Sequence, residues 1–144
     1  MHEKAKELYN HIDILIQRFL IIQNEIKGAS SELSFQEIKI INNLGKFQPC
    51  IMRELSERMK VPMSTMTGII DKLVEKKYAV RQHSDHDRRI VEVRLSKEGE
   101  KIFEIEERNH MQLATVMLDS LSPVEQEQLL SMFKNISQKI LSEQ

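Results

Sequence analysis

Ser64, Thr65 and Thr67 place three small hydroxyl groups in one short run, and Asp87-Arg88-Arg89 sets a carboxylate beside two guanidinium groups further along. Small hydroxyls reach base edges or phosphate oxygens, which suits the start of a helix entering a DNA major groove. Adjacent arginines on a hairpin tip suit the phosphate backbone or a narrow minor groove, where negative potential is concentrated. Plainer readings stand beside both. Ser64 or Thr65 can cap a helix, and Asp87 with Arg89 can merely tie a hairpin together, since surface ion pairs contribute little.

Other reactive side chains are sparse. Cys50 is the single cysteine, so no internal disulfide is available and a reducing cytoplasm is the expected compartment. At the start of a third helix its thiolate would gain from the helix N-terminus, although a lone cysteine usually behaves as a small, partly buried hydrophobe. Glu106 and His110 stand four apart on one helix face, and His83 and His86 bracket Asp85. Either spacing could start a metal site, but third and fourth ligands are missing, so no metal is assigned. Glu106 and Glu107 are adjacent on a helix and point apart, which is wrong for shared acid–base work. No nucleophile elbow, glycine-rich phosphate loop or HExxH motif occurs, so no catalytic residue and no cofactor is assigned and the chain is not expected to be an enzyme. The eight methionines and five phenylalanines could line a site for a small apolar or aromatic effector, though at helical spacing they ordinarily build core.

The elements that position these groups follow from periodicity. Leu8, Ile12, Leu15, Ile16, Phe19, Leu20, Ile22 and Ile26 recur at steps of three and four, predicting a long amphipathic helix that ends near Gly28. Ile14 and Ile21 widen its apolar stripe beyond what one small domain would cover. Ser34 to Glu37 reads as a capping box opening a second helix, with Phe35, Ile38, Ile41 and Leu44 inward and a stop at Gly45. Pro49 suits the first turn of a third helix carrying Ile51, Met52, Leu55 and Met59 on one side. Lys60-Val61-Pro62 then makes a turn, Pro62 marking the start of a fourth helix that runs to about Lys77. With Met66, Ile69, Ile70 and Leu73 inward, Ser64, Thr65, Thr67 and Gly68 face out. Tyr78 to His83 and Ile90 to Leu95 read as two strands around a polar tip, Ser84 to Arg89. Ser96 caps a helix over about 97–119, and a second capping box, Ser122 to Glu125 with Pro123 at the first helical position, opens the last helix.

Composition and charge sharpen this picture. With 144 residues, 40% hydrophobic and 30% charged, the chain is an ordinary folded protein with no apolar run long enough to span a bilayer. Its N-terminus is polar and helical in pattern, unlike a secretory signal. The net charge of −1 is unevenly spread. Residues 46–97 hold twelve Lys/Arg against seven Asp/Glu, a balance of +5, whereas the flanks hold nine against fifteen, a balance of −6. The polyanion-binding face therefore belongs to the middle of the chain.

The run from Leu55 to Gly99 resembles the core of the MarR family of regulators. The matching pieces are S-T-x-T at 64–67, I-I-D-K-L at 69–73, D-x-R at 87–89 and L-S-K-E-G at 95–99. Together with the helix order, the likeness covers nearly the whole chain. It implies a mostly α fold with a small β-hairpin wing, a winged helix-turn-helix in an obligate-type helical homodimer. One MarR-like domain would fill 1–144, with dimerisation helices at about 1–30 and 97–144 and the winged head at about 34–96. The expected function is sequence-specific binding of double-stranded DNA at a pseudo-palindromic operator by a ligand-responsive repressor, with no membrane association. The candidate DNA-binding set is Pro62, Ser64, Thr65, Thr67 and Lys72 on the recognition helix and Asp87, Arg88 and Arg89 on the wing. Arg89 would enter the minor groove, braced by Asp87. Two positions depart from the family pattern: Gly68 stands where many members carry a basic residue, and Lys77 where a glycine commonly ends the helix. A winged-helix protein-interaction module without specific DNA binding is the alternative.

Overall fold

A computed structural model describes residues 1–29 and 32–143. The elements in order are α1 (His2–Ala29), α2 (Phe35–Phe47), β1 (Cys50–Ile51), α3 (Met52–Met59), α4 (Met63–Glu75), β2 (Ala79–His83), β3 (Val91–Leu95), α5 (Lys97–Asp119) and α6 (Pro123–Ser142). The fold is a winged helix-turn-helix flanked by long helices. The chain divides into two compact units, Met1–Asn109 and His110–Gln144.

The core belongs to the first unit. Ile38, Ile41 and Leu44 of α2, Leu55 of α3, Met66, Ile70 and Leu73 of α4 and Val93 of β3 are fully buried. The sheet is antiparallel in the order β1-β3-β2. Cys50 pairs with Val93, and β2 runs from Ala79 opposite Leu95 to His83 opposite Val91. Val93 and Leu95 turn inward between Glu92 and Arg94, as their alternation predicts, while Val91 at the outer end is exposed. In the second unit α6 carries no buried residue, and Leu130, Phe133, Ile136 and Ile140 remain open. Along α1 only Ile22 and Gln23 are buried among the described side chains, leaving Leu8, Ile12, Ile16, Phe19 and Leu20 exposed. Ile26, expected on the same stripe, lies outside the described side chains.

Several local expectations are corrected. Helix α1 ends at Ala29, near Gly28 as expected, but Gly28 is not the left-handed cap. Helix α2 passes through Gly45 and ends at Phe47. Gly45 is needed for close packing, because a Cβ there would overlap the Phe103 ring. Phe35 is 42% exposed rather than inward. Pro49 does not open α3. It follows a cis Gln48–Pro49 bond and precedes β1, so α3 starts at Met52, with the Glu54 carboxylate accepting the Ile51 N–H at 3.2 Å.

Both capping boxes form. At the start of α2 the Ser34 hydroxyl accepts the Glu37 N–H at 3.2 Å, and the Glu37 carboxylate accepts the Ser34 N–H at 2.8 Å. Glu37 is also buried against Lys76 at the end of α4, with Nζ 2.9 and 3.0 Å from its two oxygens. Burial alone would raise its carboxyl, but the Ser34 N–H and Lys76 outweigh that and hold it below the usual range. A depressed folded value stabilises the fold above the ordinary carboxylate range, and that stabilisation is lost as pH falls through the depressed value. Glu37→Gln is therefore expected to cost about 2 kcal/mol near neutral pH, since it leaves Lys76 half-buried without its counter-charge. Urea denaturation should show the deficit shrinking as pH falls; a deficit independent of pH would contradict the ion-pair account.

Candidate nucleic-acid interface

Helix α3 stops because Lys60 turns left-handed (φ 52°, ψ 42°), which lets the Val61 N–H donate to the Ser56 carbonyl at 3.1 Å. Two residues later Pro62 is the N-cap of α4, where its missing N–H costs no helical bond, and its carbonyl accepts the Met66 N–H at 2.9 Å. Met66, Ile69, Ile70 and Leu73 bury one face of α4 and leave Ser64, Thr65, Thr67, Gly68 and Lys72 exposed. No side chain caps this helix. The capping reading of Ser64 and Thr65 therefore does not hold, and neither hydroxyl is bonded among the described residues. Thr67 Oγ1 donates to the Met63 carbonyl at 2.8 Å, which fixes its rotamer and leaves its oxygen able to accept.

Gly68 lies mid-helix on the exposed face, without a left-handed backbone, and a Cβ there would meet nothing within 4 Å. The fold gives this glycine no packing role. Gly68→Ala should raise stability by about 0.5–1 kcal/mol, the helix-propensity difference. A lower unfolding midpoint would mean that residue 68 packs against a neighbour after all.

The wing tip is a tight turn in which the Ile90 N–H donates to the Asp87 carbonyl and the Ser84 N–H to the Ile90 carbonyl, both at 2.9 Å. Asp87 holds Arg89 three times over. Oδ1 accepts the Arg89 backbone N–H at 3.0 Å and Nε at 3.1 Å, and Oδ2 accepts Nη2 at 3.1 Å. These bonds from Arg89, side chain first, keep the Asp87 carboxyl below the usual range. The Arg89 side chain is nevertheless 90% exposed. A guanidinium that is both aimed and open suits contact with an external anion. Arg88, beside it, is exposed.

Two supports for this site involve contacts that sequence reasoning missed. Arg81 of β2 pairs with Asp71 of α4, tying the base of the wing to that helix. Its signal, two opposite charges separated by a helix end, is too common to single out. At the end of α4, Lys77 adopts the left-handed conformation (φ 67°) that a glycine would supply, and the Tyr78 N–H donates to the Leu73 carbonyl at 2.8 Å. The helix thus ends as a Schellman-type motif despite the lysine.

The remaining candidates do not assemble into a reactive centre. Cys50 sits in β1 rather than at a helix start, and burial pushes its thiol up, opposed only in part by Arg58. Glu106 is buried and accepts the Gln23 amide at 3.2 Å, while burial raises its carboxyl against that bond and Lys46. Among the described residues no group of three or more His, Cys, Asp or Glu is placed to hold a metal ion, and no helix is long and apolar enough to cross a membrane.

The MarR family profile matches residues 31–90, from the approach to α2 through the wing turn. Over that stretch the chain is similar to the MarR family. The HTH-type transcriptional regulator YpoP of Bacillus subtilis is 27% identical over 140 residues, spanning 96% of this chain and 99% of its own length. The HTH-type transcriptional repressor MdtR of the same organism is 29% identical over 105 residues, 71% of this chain and 68% of MdtR. The fold matches FabT of Streptococcus pneumoniae, solved in complex with DNA, at a TM-score of 0.84 and 23% identity over all of both chains. The chain is thus similar to MarR-family transcriptional regulators in sequence and shares the FabT fold.

Proposed function

We propose that this chain is a MarR-type regulator, a homodimeric, sequence-specific repressor that binds a pseudo-palindromic operator and releases it in response to a small apolar or aromatic effector. The observation that carries the DNA role is the exposed Arg89 held by the Asp87 fork at the wing tip. Ser64, Thr65, Thr67 and Lys72, with Pro62 setting the helix start, read the major groove, while Arg88 and Arg89 engage the backbone and minor groove. The FabT complex with DNA and the repressor MdtR support the same reading. The homodimer is supported by apolar side chains left open along α1 and α6, such as Leu8, Ile12, Phe19, Phe133 and Ile136. Large apolar side chains in such numbers on either helix are rarely left open without a partner. The helices at about 1–30 and 97–144 therefore pair two copies, and the heads at about 34–96 read two half-sites. An effector that altered head spacing would lower affinity because both heads could no longer engage together.

Selection of bound duplexes from random DNA tests this directly. The expected outcome is a two-fold site with half-sites about one helical turn apart and an affinity that falls steeply with salt. Adding candidate effectors to the same selection should release the enriched site. Enrichment of no sequence would leave a protein-interaction module as the reading.

A further inference from the structure

A concave surface that shares no residue with α4 or the wing lies between α2 and α3. Lys39, Asn42, Asn43, Lys46 and Phe47 of α2 and Met59 of α3 line a cavity of about 320 Å³. That lies near the lower end of small-molecule sites, roughly 300–1,000 Å³. Its polar groups share one character. Lys39 and Lys46 are exposed, and neither forms a close ion pair among the described residues, although the Lys46 charge also acts on the Glu106 carboxyl. The Asn43 Oδ1 is occupied by Arg58 Nε at 2.9 Å, so the donor end of this amide is the group left over. The same guanidinium lies 4.5 Å over the Phe47 ring and holds an otherwise exposed aromatic in place. Two ammonium groups, a spare amide donor, a fixed ring and a thioether make a surface that asks for negative charge on an apolar body.

We infer that this α2–α3 cavity binds a small organic anion, its charged group between Lys39 and Lys46 and its apolar part against Phe47 and Met59. The site goes beyond the repressor reading, because it lies outside the DNA-reading set and needs neither dimer nor operator. Duplex phosphate is the rival source of negative charge. A phosphodiester backbone would use the lysines alone and has no call on a ring and a thioether, so the small anion accounts for more of the lining. Arg58 belongs to α3, the first helix of the helix-turn-helix, so an occupant touching Asn43 or Phe47 presses on the DNA-reading head.

The full chain, titrated with phenyl phosphate and in parallel with inorganic phosphate, tests the inference by amide NMR and calorimetry. Saturable shifts centred on Asn42, Asn43 and Lys46 are expected, with inorganic phosphate about tenfold weaker for want of the ring. The double variant Lys39→Gln/Lys46→Gln should bind phenyl phosphate at least about tenfold more weakly while keeping its DNA affinity and salt slope. Absence of saturation, or equal binding by the double variant, overturns the inference. So does loss of DNA affinity in the double variant with a salt slope lower by about two, which assigns the lysines to duplex phosphates. If the unaltered chain binds no DNA, the repressor reading fails alone, and the anion titration still decides the cavity.

Discussion

Replacing Arg89 with alanine is expected to weaken operator binding about a hundredfold while leaving the fold and the dimer intact. A charge-assisted contact contributes about 1.5–3 kcal/mol, and a two-fold assembly presents the residue twice, so about 3 kcal/mol is a conservative total. Stability should hardly change, because the side chain is 90% exposed and Asp87, its ion-pair partner among the described residues, is itself part-exposed. The log–log salt slope should also flatten by about one for each charge removed. Asp87→Ala separates aiming from charge: it leaves the guanidinium but frees it, so affinity should fall by less than in Arg89→Ala and the salt slope should persist. Since the Asp87 carboxyl lies below its usual range through its bonds from Arg89, the fork persists at mildly acidic pH and opens only as pH falls through that depressed value. Affinity unchanged by Arg89→Ala in a salt-matched titration would reduce the pair to a hairpin tie.

What the sequence made legible was what short spacing controls. Ser34–Glu37 and Ser122–Glu125 form their capping boxes because both partners lie within one turn. Asp87 and Arg89 meet because they are two residues apart in a tight turn. The inward set of α4 followed from its period. Errors arose where the partner is distant along the chain. Strand β1 is two residues long and exists because Cys50 and Ile51 pair with Val93 and Glu92 of β3, so nothing local distinguishes it from the helix start that Pro49 suggested. Gly45 illustrates a second limit. A glycine near a helix end resembles a stop signal, yet here its reason is the Phe103 ring on α5. The Asp71–Arg81 tie likewise depends on how α4 and β2 pack, which charge counting along the chain does not specify.

Gly99 carries the largest stability prediction: Gly99→Ala is expected to destabilise the chain by about 3 kcal/mol. Helix propensity alone argues the other way, because alanine is favoured over glycine inside a helix by up to about 1 kcal/mol. The backbone at 99 is not left-handed, so conformational freedom is not the reason for glycine. Space is. A Cβ on residue 99 would fall deep within contact distance of the Tyr78 carbonyl oxygen, with a Leu95 methyl 3.1 Å away on the other side. A flexible side chain could swing aside, but this oxygen is main chain and already accepts the Ser96 N–H at 3.0 Å. Moving it would disturb Tyr78, whose N–H closes α4 through Leu73 and whose neighbour Ala79 opens β2. Moving the start of α5 instead would break the Ser96 hydroxyl's two bonds, accepting the Gly99 N–H at 3.1 Å and donating to the Lys77 carbonyl at 2.6 Å. Either relief loosens the corner where α4, the wing and α5 meet, so the proposed DNA affinity should fall together with stability. Paired urea titrations of Gly99→Ala and Gly68→Ala give opposite signs for the same chemical change, one against packed main chain and one in open space. Equal or greater stability in Gly99→Ala would mean that this corner yields far more easily than its hydrogen bonds imply.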